Sequence, residues 1–205
     1  KMTSMVKRCL VCITGASGAI YSIRLLCALA ANGVRIHVVT SERGARVLLE
    51  ETGRPLGYWL GRLQSQGGPE GRHAFITMHE NNDFSAPISS GSFRLHGTVI
   101  VPCSMGTLST IASGNCSNLI HRAGAVALKE GWPFIVVPRE TPLSLISLRA
   151  MTQLKEAGAV ILPASPSFCG KPPDIQSLVD TVVYRILDHL DIVDQTMTRE
   201  NQDKP

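Results

Sequence analysis

Short apolar runs alternate along this chain with longer segments whose apolar residues recur at helical spacing. Cys9-Leu10-Val11-Cys12-Ile13 is a run of the buried-strand type, and Ile20, Ile23, Cys27 and Ala30 then mark one face of a helix. The alternation continues. It predicts strand 8–14 with helix 17–32, strand 34–40 with helix 42–52, and strand 98–102 with helices 104–113 and 117–130. Strand 133–138 with helix 143–156 and strand 158–163 with helix 174–191 complete it. Strands separated by helices pair in parallel and are covered on both faces, so the pattern predicts an α/β protein with a doubly wound parallel sheet. In such sheets ligands bind beyond the carboxyl ends of the strands, near the switch in strand order.

Between the second helix and Thr98 the periodicity weakens. Gly61, Gly67-Gly68-Pro69 and Gly71 mark loops around one short candidate strand, His73 to Met78. No shift in composition marks a domain boundary there. A single domain over 1–205 is expected, with its core at about 8–191 and a polar C-terminal arm at 192–205 that either frays or packs on a neighbouring subunit.

Composition narrows the function classes. With 205 residues, 44% hydrophobic and 18% charged, the chain can bury a sizeable core and is not disordered in bulk. The net charge of +4 comes without any run of like charges, so no nucleic-acid partner is expected. Arg24, Arg35 and similar charges interrupt every candidate for the roughly 18 apolar residues a membrane span needs. No signal peptide is evident, and a soluble, cytoplasmic protein is expected. The six cysteines, Cys9, Cys12, Cys27, Cys103, Cys116 and Cys169, are scattered and read as reduced thiols. Cys9 and Cys12 have C-x-x-C spacing, but in a strand they point to opposite faces, which argues against a metal clip or a redox pair. The histidines add no metal-ligand spacing, so no metal is expected.

The chemistry concentrates after the strands. Thr14-Gly15-Ala16-Ser17-Gly18-Ala19 leads a strand through small residues into a helix, where free N–H groups and the positive end of the helix dipole form an anion site. A phosphate is one occupant of such a turn. The other explanation is a tight βα turn that needs glycine for geometry alone, since the full G-x-G-x-x-G fingerprint is missing. After the second strand stand Thr40 and Ser41, with Glu42 beyond, where an NAD site would place its acidic residue at once; Ser41 also suits a helix N-cap. Pro102-Cys103-Ser104-Met105-Gly106-Thr107 repeats the strand-to-helix turn with hydroxyls, and two such turns exceed what packing requires. Cys103 has no histidine near it in sequence and reads as a packing residue. Arg139 and Glu140, fenced by Pro138 and Pro142, offer a guanidinium fork for phosphate and a carboxylate for proton transfer, unless Glu140 or Thr141 caps the following helix. By spacing alone, Lys129-Glu130 is a solvated helix end and Arg185 a surface residue.

Six words in this sequence together resemble the UbiX flavin prenyltransferases. They are Thr14 to Ala19, Ser89-Ser90-Gly91-Ser92-Phe93, Pro102-Cys103-Ser104-Met105, Asn118-Leu119-Ile120 with Arg122-Ala123, Ala127-Leu128-Lys129-Glu130, and Arg139-Glu140-Thr141-Pro142, in order over about residues 8–191. Related flavin-dependent cysteine decarboxylases carry a Pro-Ala-Ser-Ala-Asn type segment where this chain has Pro102 to Met105, which separates the two branches. The resemblance implies a Rossmann-like or flavodoxin-like three-layer α/β/α domain that binds FMN, without a metal, in a homododecamer with active sites between subunits. It implies transfer of a dimethylallyl group from dimethylallyl monophosphate to N5 and C6 of reduced FMN, the prenylated FMN then serving UbiD-type decarboxylases. Gly15, Ala16, Ser17, Ser41, Ser104, Met105, Gly106, Thr107 and Arg139 match FMN-contact positions, with Ser17 near the flavin N5. Ser90, Gly91, Arg122, Lys129, Cys169 and Arg185 match the substrate side, Lys129 and Arg185 as phosphate ligands. Glu140 and Glu51 match the proton-transfer positions.

One position departs from the pattern. The family usually has Phe-Tyr where this chain has Phe168-Cys169, and the tyrosine reaches the prenyl phosphate and closes the pocket. Cys169 is smaller and a weak donor. Compensation by Lys171 or a neighbouring subunit, looser phosphate binding, another substrate, and an FMN-binding protein with altered or lost transfer all fit that change. An FMN-dependent decarboxylase is a further alternative.

Overall fold

In the computed structural model, which describes residues 6–66 and 74–193, the alternating runs become the elements of one sheet and its covering helices. The order is β1 (Arg8–Ile13), α1 (Ala19–Ala31), β2 (Arg35–Thr40), α2 (Glu42–Thr52), α3 (Leu56–Gln66) and β3 (Ile76–His79). A 3-10 turn at Pro87–Ser89 precedes β4 (Gly97–Cys103), α4 (Met105–Ala112), α5 (Leu119–Glu130), β5 (Phe134–Pro138), α6 (Leu145–Glu156), β6 (Val160–Ile161) and α7 (Ile175–His189). All pairings are parallel and the strand order is β3-β2-β1-β4-β5-β6. The chain builds outward from β1 in one direction, then crosses to β4 on the other side. The switch in strand order therefore lies between β1 and β4.

The central strands are apolar throughout because both faces are covered. Cys9, Val11 and Ile13 pack with Leu25 and Leu29 of α1 and Val183 and Ile186 of α7, while Leu10 and Cys12 face Ile111, Ile120 and Ala127 from α4 and α5. Cys9 and Cys12 thus lie on opposite faces, as a period of two requires. Burial pushes the Cys9 thiol up to about 12 and the Cys12 thiol higher still, so neither forms a ready thiolate. Arg24 of α1 grips Asp180 of α7 through two 2.7 Å hydrogen bonds, which fixes the angle at which α7 crosses α1.

Several boundaries differ from the expectation. Helix α3 replaces a stretch that Gly61 marked as loop: Gly57 and Gly61 face open space while Leu56 and Leu60 are buried and Trp59 and Leu63 pack beside them. That spacing, i, i+3, i+4, i+7, is the helical signal. Strand β3 is shifted to Ile76–His79 from 73–78, where Ile76 pairs with Ile36; His73 lies outside the described residues. The strand expected at 158–163 is reduced to two paired residues. Helix α6 is capped neither by Glu140 nor by Thr141 but by Ser144, whose hydroxyl accepts the Ser147 N–H at 3.1 Å. Of the expected C-terminal arm, 194–205 lies outside the described residues, and Ile192 is buried against the core.

Candidate functional site

The turns after β1 and β4 are joined by one buried threonine. Thr14 is 1% exposed; its hydroxyl donates to the Pro102 carbonyl at 2.9 Å and accepts the Ser104 N–H at 2.8 Å, and its own N–H donates to the same carbonyl at 3.2 Å. The Ser41 N–H donates to the Ile13 carbonyl, bringing the end of β2 to the same place. Gly44, in the first turn of α2, lies so close to β1 that a Cβ there would stand 2.5 Å from the Ile13 carbonyl oxygen. Likewise a Cβ on Gly15 would stand 2.6 Å from Cβ of Arg43. These glycines admit close backbone approach at the switch point.

The hydroxyls after the strands act first as caps. Ser41 accepts the Gly44 N–H at 3.0 Å and Ser104 accepts the Thr107 N–H at 3.3 Å, while the Ser104 hydroxyl also lies 3.1 Å from that of Thr107. Beyond Gly106 there is open space, with no heavy atom within 4 Å of where a Cβ would be. The first N–H groups of a helix have no partner within it, so the start of α4 presents donors to that opening.

The start of α1 differs, because a carboxylate of the chain itself meets it. Gly18, at φ 106°, donates its N–H to both oxygens of Glu51 at 3.0 and 3.1 Å, and the Ala19 N–H donates at 2.8 Å. The turn thus holds an anion, the Glu51 carboxylate from α2, favoured by the positive end of α1. Ser17 remains exposed beside it.

Arg139 follows β5 at the same end of the sheet. Its N–H donates to the Cys103 carbonyl at 3.3 Å, placing it beside the turn after β4. Burial pushes the Tyr21 phenol above its ordinary range, and the positive charge of Arg139 works against that rise. Glu140 is exposed and accepts the Thr141 N–H at 2.9 Å. Backbone contacts thus bring the turns after β1, β2, β4 and β5, with Ser41, Ser104 and Arg139 on them, together at the switch point. Cys103 is fully buried, and burial drives its thiol far upward, as suits packing rather than attack.

A second group assembles at α5. Arg122 donates from Nε to the Ser89 carbonyl at 3.0 Å, and Lys129 Nζ lies 2.7 Å from Glu130 Oε1. A Cβ on Gly91 would overlap that Glu130 carboxylate, so Ser90, Gly91, Arg122 and Lys129 come together at one corner. Arg185 and Cys169 stand apart from it. Arg185 is exposed and pairs with Asp188 at 3.3 Å, and the Cys169 N–H donates to the Ser167 hydroxyl at 3.2 Å. Among the described residues, no group of three or more His, Cys, Asp or Glu is placed to hold a metal ion, and no helix is long and apolar enough to cross a membrane.

A family model described as Flavoprotein matches residues 1–187. The flavin prenyltransferase UbiX of Halalkalibacterium halodurans is 41% identical over 197 residues, covering 94% of this chain and 92% of that protein. This chain belongs to the UbiX flavin prenyltransferase family. The UbiX fold extends over nearly its whole length: a crystal structure of AnUbiX (PadA1) in complex with FMN and dimethylallyl pyrophosphate matches with TM-score 0.87 and 39% identity, covering 97% of this chain and 100% of that one. A dodecameric FMN-dependent UbiX-like decarboxylase from Escherichia coli O157:H7 matches with TM-score 0.84 and 34% identity, covering 95% and 99%. Local sequence pattern does not mark Thr14 as the tie between the two turns. A hydroxyl at the end of an otherwise apolar strand was the available signal.

Proposed function

We propose that this chain is a flavin prenyltransferase that moves a dimethylallyl group from dimethylallyl monophosphate to N5 and C6 of reduced FMN, yielding the prenylated FMN used by UbiD-type decarboxylases. The observation that carries the reading is the switch point: Thr14 holds two strand-end turns together, the start of α4 opens beyond Gly106, and Arg139 stands beside the turn after β4. Those donors fit a flavin with its phosphate, and FMN and dimethylallyl pyrophosphate are the pair bound in the AnUbiX structure. Gly15, Ala16, Ser17, Ser41, Ser104 to Thr107 and Arg139 hold the FMN. When bound, reduced FMN supplies the electron-rich ring that accepts the allyl group.

The chain's own groups then manage charge. Lys129 and Arg122, with Ser90 and Gly91 beside them, and Arg185 brought to them from a neighbouring subunit neutralise the departing phosphate, and this is where an allylic carbon–oxygen bond needs help to ionise. Glu140 and Glu51 move protons, with Glu51 held in place by the Gly18 and Ala19 N–H groups. Cys169 leaves the phosphate with fewer contacts than a tyrosine would. The site is completed between subunits of a homododecamer. Leu145 and Ile146, 60% and 75% exposed at the start of α6, suit burial against another copy.

A decarboxylase is the second reading, because the related UbiX-like chain from Escherichia coli is described as one. The deciding experiment mixes the protein anaerobically with reduced FMN and dimethylallyl monophosphate and weighs the flavin. A flavin heavier by one prenyl unit is the expected result. Retained FMN of unchanged mass would refute prenyl transfer and leave a flavin carrier or a decarboxylase.

A further inference from the structure

We propose that Glu130 is a positioning residue for Lys129, wedged against the backbone of Gly91 so that the Lys129 ammonium stays at the Ser90-Gly91 loop. The proposal rests on the reading of Lys129 as a ligand of the prenyl phosphate.

Adjacent residues on a helix do not ordinarily face each other. The 2.7 Å contact between Lys129 Nζ and Glu130 Oε1 therefore needs both side chains to bend out of their usual directions, and Glu130 does so against a third feature. That feature is the 89–92 loop. Glu130 occupies the volume a Gly91 side chain would take, and only a residue without Cβ admits it. The same loop is tied to α5 one further time, by Arg122 at the Ser89 carbonyl.

Helix stabilisation does not explain Glu130. It is the last residue of α5, before Gly131 at φ 66°, where the negative end of the helix disfavours a carboxylate and favours a cation such as Lys129. The side chain of Lys129 is 64% exposed and that of Glu130 32%, so the carboxylate is the more fixed of the two and acts as the anchor. An ammonium carries three donors, and one held by Glu130 leaves two for an arriving phosphate. Anchoring lowers the rotamer freedom that a long lysine would otherwise lose on binding.

The test compares Lys129→Ala, Glu130→Gln, Gly91→Ala and the double variant Glu130→Gln with Gly91→Ala. A methyl at Gly91 meets only the end of a flexible side chain, so that variant folds and displaces the carboxylate. Glu130→Gln is expected to raise KM for dimethylallyl monophosphate roughly fivefold, the size of one weakened charge-assisted hydrogen bond, with kcat and FMN affinity unchanged. Gly91→Ala raises KM similarly, and the double variant stays within about twofold of either single one, because both act through one contact. Unchanged KM in Glu130→Gln, or single effects that multiply, overturns the proposal while Lys129→Ala still raises KM. Unchanged KM in Lys129→Ala overturns the phosphate-ligand reading itself, and this proposal with it.

Discussion

Replacing Thr14 by valine keeps the side chain's shape and removes its hydroxyl from the junction of the two strand-end turns. Thr14 is 1% exposed, so water does not substitute. The Pro102 carbonyl keeps the Thr14 N–H at 3.2 Å, but the Ser104 N–H loses its acceptor at 2.8 Å. A stranded buried N–H costs about 1–3 kcal/mol and the lost donor bond about 1 more, so Thr14→Val should destabilise the chain by about 2–4 kcal/mol. At roughly 2–4 °C per kcal/mol for a domain of this size, the melting temperature of the FMN-free protein should fall by about 5–15 °C. Thr14→Ser retains the hydroxyl and should recover most of the loss. The assay is chemical denaturation of both variants, with FMN titrated by fluorescence quenching in parallel. FMN affinity should weaken in Thr14→Val because Ser104, which opens α4, is no longer held against β1. If Thr14→Val loses under about 0.5 kcal/mol, within the range of an ordinary surface change, or Thr14→Ser loses as much as Thr14→Val, the hydroxyl is not what joins the turns.

Two glycines at the site should respond in opposite directions. Gly44→Ala places its Cβ 2.5 Å from the Ile13 carbonyl oxygen, a backbone atom that cannot turn aside, and should lower stability by about 1–3 kcal/mol in denaturant titration. Gly106→Ala meets open space in a helix and should raise the stability of the FMN-free protein by up to about 1 kcal/mol while weakening FMN binding, since its methyl enters the opening before α4. Acid should weaken the fold through His37, whose Nδ1 lies 2.9 Å from Nε2 of His79 with the rings stacked and Phe93 edge-on. Burial first, then the charges of His79 and Arg8, hold the His37 pKa down to about 4 from 6.5; burial also lowers that of His79, against the opposing pull of Asp83. The unfolded chain then binds more protons, so this stability is fully present above about pH 6.5 and is lost as pH falls through about 4. Partial solvent access reduces the effect to about 1–2 kcal/mol, and His37→Gln should flatten the profile of denaturation midpoint between pH 7 and pH 4.

Much of the fold was legible because fully covered parallel strands are continuous apolar runs. β1, β2, β4 and β5 were each located within a residue or two on that basis, and α2 at its observed bounds of Glu42–Thr52, where Ser41 caps one end and Gly53 at φ 68° closes the other. Helix α3 was missed although its buried positions kept helical spacing, because the outward-facing Gly61 and the glycines that follow it read as breakers. Along the site, the small and hydroxylated turns were visible as local words, and Ser41 as a cap. Their partners were not visible from local pattern, since hydrogen bonds between distant residues depend on strand order.

Sequence alone determined that this chain alternates strand and helix, covers its sheet on both faces and gathers small, hydroxylated and charged residues at strand ends. Its motifs also placed it in its family and brought Glu51 and Lys129 into view. Only the tertiary structure decided that Glu51, 33 residues from Gly18, fills the start of α1, and that Thr14 reaches across to Pro102 and Ser104. It also decided that Glu130 settles against Gly91. The physical reason is common to all three. Periodicity reports which face of an element is covered, whereas the direction of a single polar group is set by whichever neighbour the packed sheet brings within hydrogen-bonding distance.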